Sequence, residues 1–423
     1  MFHDLVIVGS GPSSYGYLLG LPPDAKSVAV VTSTALPHSR SDIHPKLHDG
    51  RVTFIDRKRG RRYGPTANIG GLSASWGGIL AIPDEGEMER FERRIGTGRA
   101  AAAFRAILSN LALHFRIFEA SNEGFEEIKC ASLVNPKASQ KFVMTGRSRH
   151  AWERSGISLA ALIKSLVVAK GAEWRVGTVE GLYFDKPSRI WTLQFRDGSI
   201  LRTKKLVLAA GGLGNLNLLQ QLLPYAALST VDHVPLQVYC LRLPWSNDFA
   251  NFSGSATPLC YLYSSKKYIS AGYCLGWLSS DFRKKMKLAA LLQKVLPKKV
   301  FNYLYLVQVW HKSLTVELGP QSHTKPPRRM EAVRLLVSML TEFLSRSLVP
   351  VFVTRTSPGE GFHYMSVRPQ SESDSQRDIL WQLKNDYAQH LEILGGLTVE
   401  QIMVEHPSLY FMADAYAKAA WRS

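Results

Sequence analysis

The chain has 423 residues, 45% of them hydrophobic, and carries 52 Lys and Arg against 34 Asp and Glu, a formal net charge of +18. That length supplies a large core and suggests two or three domains. Its four cysteines (Cys130, Cys240, Cys260, Cys274) stand far apart with no C-x-x-C pair, which argues against a disulfide scaffold or a zinc site and fits a reducing compartment.

The opening "HDLVIVGSGPSSYGYLLGL" reads as an apolar strand, a tight glycine turn and a helix start, and "KSVAVVTSTA" as a second buried strand. Together they form the β-α-β start of a dinucleotide fold. No basic-then-apolar leader precedes the first strand, and no apolar run is long enough to span a bilayer, so a cytoplasmic location is expected. Residues 36–80 are polar and glycine-rich, a long excursion that ends in "GGLSASWGG". Helices are expected over 99–115 and 157–170, then strands over 173–208 with a turn at Arg196-Asp197-Gly198.

An apolar strand in "KKLVLAAGGLGNLNLLQQL" runs into Ala209-Ala210-Gly211-Gly212 and then a helix. The pattern is strand-like and aromatic from 232 to 280, and mostly helical from 283 to 347. The tail from about 380 reads as helix, short strand and helix. There is no internal repeat and no low-complexity linker.

The positive charge is concentrated in 283–299, "RKKMKLAALLQKVLPKK", which holds seven basic residues and no acidic one. Leucines and valines at helical spacing among them, followed by "VFNYLYLVQVW", suit peripheral contact with a membrane through 283–310. They equally suit a surface helix lying over a core strand. No RNA-binding or zinc-finger signature points to nucleic acid.

Gly9-Ser10-Gly11-Pro12-Ser13-Ser14 has the form G-x-G-x-x-S. Glycines at the turn let backbone approach a pyrophosphate, and the following helix N-terminus stabilises the anion. An acid usually ends the second strand of such folds to bind ribose; here Thr32 and Ser33 stand there. Small residues at Ala210 and Gly211 suit a backbone packed closely against a cofactor. In "GGLSASWGG", two glycine pairs bracket two serines and a tryptophan, a composition that calls for close approach by another group. "GEGFHYMSVRP" carries His363 and "IMVEHPSLYFMADAYAKAAW" carries His406. Histidine, with an unperturbed pKa of about 6.5, suits a base that removes a hydroxyl proton as hydride leaves carbon.

These pieces, in this order, resemble the glucose-methanol-choline oxidoreductase family of flavoproteins. The resemblance covers the first 80 residues, about 170–222 and about 358–420. It implies FAD, bound through Gly9, Gly11, Pro12, Ser13, Ser14 and Thr32, with Ala210, Gly211 and Gln401 also at the cofactor. It further implies that the loop holding Gly70, Gly71, Ser73, Ser75, Trp76, Gly77 and Gly78 lies against the isoalloxazine. Asp232-His233-Val234-Pro235 is similar to the D-H-x-P that often opens the family's substrate domain, and His363 and His406 occupy the two catalytic positions.

The implied architecture is α/β, with a Rossmann-like FAD-binding domain over 1–225, including an excursion around 36–150. A smaller sheet-plus-helix substrate domain covers 226–380, and 381–423 returns to the first domain. The implied reaction oxidises a CH–OH group of a small-molecule alcohol, sugar-like, anionic or lipid-linked, with oxygen or a quinone as acceptor. Two other readings stay open: an FAD monooxygenase or nicotinamide-dependent flavin reductase, and a degenerate relative kept as a binding or scaffold protein. No metal site is expected.

Overall fold

The structure is a computed structural model and describes residues 1–33, 54–56, 61–63, 71, 79–82, 85–114, 116–119, 129–134, 159–223, 228–243, 259–264, 268–275, 291–292, 294–297, 300, 303–311, 314–318, 329–355, 367–369, 383, 387, 389–395 and 408–421.

The chain opens with β1 (Phe2–Val8), α1 (Pro12–Gly20) and β2 (Val28–Thr32), as the hydrophobic pattern predicts. A short pair, β3 (Phe54–Asp56) and β4 (Arg61–Tyr63), and then β5 (Ile79–Ile82) lie within the glycine-rich excursion. Helices α2 (Glu85–Ile95) and α3 (Arg99–Ala112) precede β6 (Arg116–Glu119) and β7 (Lys129–Val134), which join β5 in a three-stranded sheet. Next come α4 (Ala160–Ala169), β8 (Glu173–Val176), β9 (Val179–Asp185), β10 (Ile190–Phe195), β11 (Ile200–Leu208) and α5 (Gly211–Leu222). The strands β12 (Leu228–His233) through β17 (Thr315–Leu318) include β13 (Leu236–Arg242), β14 (Leu259–Ser264), β15 (Ile269–Cys274) and β16 (Leu304–Trp310). Finally α6 (Arg329–Ser338), α7 (Leu340–Ser345), β18 (Leu348–Arg355), β19 (Val367–Pro369), β20 (Leu391–Ile393) and α8 (Ser408–Trp421) complete the described elements.

The principal sheet runs β8-β2-β1-β11, all parallel, and β11 is the junction. Its first half pairs antiparallel with β10, which pairs with β9; its second half pairs parallel with β20. The C-terminal segment thereby returns to the sheet in which the chain began. Buried parallel strands are apolar on both faces, and β1 shows why. Leu5 and Ile7 pack on one side with α1, α3, α4 and α8, while Val6 and Val8 pack on the other with α5 and Trp191. The result is helices on both faces of a central sheet, a Rossmann-type α/β core.

A five-stranded antiparallel sheet, β14-β15-β16-β13-β18, forms a second core, and β17-β12-β19 forms a small sheet of its own. The expectation of a mostly helical 283–347 is corrected here, because β16 and β17 are strands. In β16, Leu304 and Leu306 face one cluster, while Tyr305, Val307 and Val309 face another. A strand buried on both faces reads as a continuous apolar run, which periodicity alone does not separate from buried helix. Helix α2 also lies outside the elements expected from sequence.

Candidate functional site at the carboxyl ends of the parallel strands

In open α/β sheets, ligands bind beyond the carboxyl ends of the strands, where connections on either side of a strand run in opposite directions. Here that place lies between β1 and β11. From β1 the chain crosses through α1 to β2 on one side, whereas β11 and β20 lie on the other. The turn at Gly9–Gly11 leaves the end of β1, and the turn at Ala209–Gly211 leaves the end of β11. Ala209 N–H donates to the Val8 carbonyl at 2.8 Å, which locks the two turns side by side.

Each small residue has a stated reason. Gly9 has φ +117°, and a methyl group there would overlap the Ala209 carbonyl oxygen. Gly11 is different: among the described residues, a methyl group on it would meet nothing within 4 Å. Pro12 stands at the first helical position, where its missing N–H costs nothing. Ser14 Oγ donates to the Gly9 carbonyl at 2.9 Å and so braces the turn from behind. Among the described residues no side chain caps α1, and no acid lies in its first turn. Its N-terminal amides and the positive end of its dipole are therefore left to a ligand beside Gly11.

Gly71 brings the distant excursion to this same place. Its φ is +59°, and a methyl group on it would lie 3.2 Å from Gly11 Cα and 3.9 Å from Pro12 Cδ. Only glycine takes that backbone conformation without strain. Two motifs that the sequence places far apart are thus in near contact at Gly71.

Thr32 ends β2 and is buried, and its hydroxyl lies 3.2 Å from Ser10 Oγ. This pair ties the end of β2 to the glycine turn. A hydroxyl so engaged has less capacity for a ribose than the acid that such folds ordinarily carry. Ser13 is buried, and a methyl group on Gly395, just past β20, would lie 3.1 Å from Ser13 Oγ. Ala210 and Gly211 open α5 at the same crevice. Gly70, Ser73, Ser75, Trp76, Gly77, Gly78, His363, Gln401 and His406 lie outside the described residues. By chain position, His363 stands just before β19 and His406 just before α8.

Two groups of residues behind the crevice escaped the sequence reading. Asn215, buried in α5, accepts from Ala210 N–H at 2.9 Å and donates to the Leu394 carbonyl at 2.7 Å and the Leu208 carbonyl at 3.4 Å. It pins the β11 turn to the end of β20. Gly16 and Gly20 on α1 admit the backbone of α8: a methyl group on Gly16 would overlap the Met412 carbonyl oxygen, and one on Gly20 would lie 2.5 Å from the Tyr416 carbonyl oxygen. The signal for the latter was the four-residue glycine spacing in "GYLLG", which suits closely packed helices. Among the described residues, no group of three or more His, Cys, Asp or Glu side chains forms a metal-binding cluster.

The crevice fits a pyrophosphate: an uncapped helix start, an open flank at Gly11 and glycine backbone on two sides. It does not offer a carboxylate for a ribose at the end of β2.

No family model matches this chain, and no curated protein does. Solved structures do. Pyridoxine 4-oxidase from Mesorbium loti is 14% identical and superposes with a TM-score of 0.55 over 99% of each chain, which shows a shared fold. The halogenase PltM is 11% identical with a TM-score of 0.38, over 99% of this chain and 68% of its own. PqsL, a probable FAD-dependent monooxygenase from Pseudomonas aeruginosa, is 12% identical with a TM-score of 0.38, over 99% of this chain and 84% of its own.

Proposed function

We propose that this chain is an FAD-dependent oxidoreductase that oxidises a CH–OH group of a small-molecule alcohol to a carbonyl. The observation that carries this reading is the convergence of Gly9–Gly11, Gly71 and Ala209–Gly211 at the carboxyl ends of β1 and β11. The resemblance to the glucose-methanol-choline family supplies the finer chemistry, and the fold shared with pyridoxine 4-oxidase agrees with it.

When bound, FAD supplies the acceptor for the hydride. The amides at the start of α1 hold its pyrophosphate through hydrogen bonds and the helix dipole. Gly11 leaves room for the phosphate oxygens, and Gly71 lets the excursion close over the turn without a side chain in the way. Thr32, through Ser10, keeps the β2 end in register with the turn rather than presenting a charge to the ribose. His363 removes the substrate hydroxyl proton, and His406 orients that hydroxyl and stabilises the developing alkoxide. The substrate domain over 226–380 and the returning tail over 381–423 remain part of this proposal.

A single positioned base contributes about 10²–10⁴-fold to such a step. The His363→Ala variant should therefore keep its yellow colour yet be reduced about 10²–10⁴-fold more slowly by the alcohol that reduces the native flavin. Reduction of the variant at the native rate would remove His363 from the role of base.

A further inference from the structure

Of eighteen large hydrophobic side chains exposed among the described residues, eight fall between Val333 and Val353. They are not scattered. On α6 and α7, Leu335, Met339 and Phe343 face the antiparallel sheet and are buried. Val333, Val337, Leu340 and Leu344 recur at helical spacing on a different face, and are 52%, 67%, 49% and 65% exposed. A helix that covers a core on one face normally turns polar residues outward; this one carries a second apolar stripe. Alongside lies β18, which α7 contacts and which among the described strands pairs with β13 alone, at the edge of the sheet. Its Val351 and Val353 are also exposed. Contiguous exposed apolar surface of this kind marks an interaction site.

Charge selects the occupant. Residues 329–355, which form this face, hold four arginines against two glutamates, in a chain whose net charge is +18. One of those two acids, Glu342, is buried and accepts a hydrogen bond from Ser270 Oγ at 2.6 Å. Arg334 is exposed beside the stripe, and Arg355 is exposed at the end of β18. A second copy of the chain would bring like charge against like, and a nucleic acid offers nothing to four aliphatic side chains. An anionic bilayer satisfies both features, with aliphatic groups at the acyl boundary and arginines over the headgroup phosphates. No helix among the described residues is long and apolar enough to cross a membrane.

We propose that α6, α7 and the edge strand β18 form a docking face that seats this chain on the surface of an anionic lipid bilayer. Val333, Val337, Leu340 and Leu344 enter the interface, and Arg334 snorkels to the phosphates. This places the contact further along the chain than 283–310, and it involves neither the flavin nor the alcohol.

The test is flotation of the full chain with two vesicle types, one of phosphatidylcholine and phosphatidylserine in equal parts, the other of phosphatidylcholine alone. The native chain should float with the anionic vesicles, lose most of that binding in high salt, and stay unbound with the neutral ones. The pair Val337→Ser and Leu344→Ser, both at exposed positions, should cut the bound fraction about tenfold while the melting temperature holds. Exchange of the exposed Val168 for Ser on α4 should leave binding unchanged. Failure of the native chain to float with anionic vesicles overturns the proposal. So does equal flotation of the double variant, or a dimer that forms through this face and excludes vesicles.

Discussion

A methyl group on Gly71 would stand 3.2 Å from the Cα of Gly11, so the excursion and the first glycine turn pack backbone against backbone. That contact brings Gly71, from the second glycine motif, beside the turn proposed to hold the pyrophosphate.

Gly71→Ala tests the contact. Alanine at φ +59° costs about 1–2 kcal/mol, and the added methyl presses on Gly11. If the loop closes over bound FAD, affinity should fall about tenfold, the equivalent of about 1.4 kcal/mol. Titration of the apoprotein with FAD, followed by flavin fluorescence, reads the change. Unaltered affinity would separate the loop from the cofactor.

Gly16→Ala tests how the C-terminal helix is held. The methyl would overlap a backbone carbonyl oxygen, that of Met412, which no rotamer change can move aside. Overpacking of this kind costs about 1–3 kcal/mol. A lower denaturant midpoint is expected, with early loss of α8 protection in hydrogen exchange. Native stability in this variant would mean that α1 and α8 are further apart than the structure places them.

Asn215→Ala removes one acceptor and two donated bonds from the junction of β11, α5 and β20. Each backbone group left buried without a partner costs about 1–3 kcal/mol. A loss of about 2–4 kcal/mol in urea unfolding is expected. Asn215→Asp should lose at least as much at neutral pH, because its carboxylate can keep the bond from Ala210 N–H but sets oxygen against the Leu394 and Leu208 carbonyls. A clearly milder loss in Asn215→Asp would contradict this assignment of the bonds.

Stability should fall at alkaline pH through Cys240. Burial, and next the nearby charge of Glu342, push its thiol pKa far up in the folded chain. In the unfolded chain the thiol titrates near about 8.5. Below that pH both states hold the proton, and the group contributes no pH dependence. Above it, the unfolded state releases a proton that the folded state keeps, so stability declines by about 1.4 kcal/mol per pH unit. Burial raises Tyr15 and Tyr239 in the same direction, and their effect enters above about pH 10. Urea unfolding between about pH 8.5 and 10 should show a slope that Cys240→Ala reduces by one proton. An unchanged slope would contradict the buried, protonated thiol.

Much of this was legible because the signals are local. The strand, glycine turn and helix over Phe2–Gly20 are set by residues within a few positions of one another, as are the hairpin at Asp197-Gly198 and the strand–helix turn at Ala210. The misreading of β16 has a plain cause: Tyr305, Val307 and Val309 bury one face and Leu304 and Leu306 the other, so no alternation of polarity marks the strand. Helix α2 was missed for the opposite reason. Its sequence "EGEMERFERRI" is mostly charged, and Phe91 anchors it through an edge-on contact with Phe104 and a tilted one with Tyr410, a partner far along the chain. Asn215 and Gly16 likewise derive their roles from Leu394 and Met412, which only the folded chain brings near. The meeting of Gly71 with Gly11 lay between these cases: the glycines called for a close approach, which the family resemblance assigned to the isoalloxazine rather than to Gly11.

The role proposed for the crevice between β1 and β11 is to hold FAD for redox work on an alcohol. The visible spectrum of the purified full chain, mixed with FAD and freed of excess by gel filtration, tests it most directly. A retained flavin spectrum, bleached under anaerobic conditions by an alcohol from a panel of sugars and small lipids, is the predicted result. A colourless chain that takes up no FAD would contradict it.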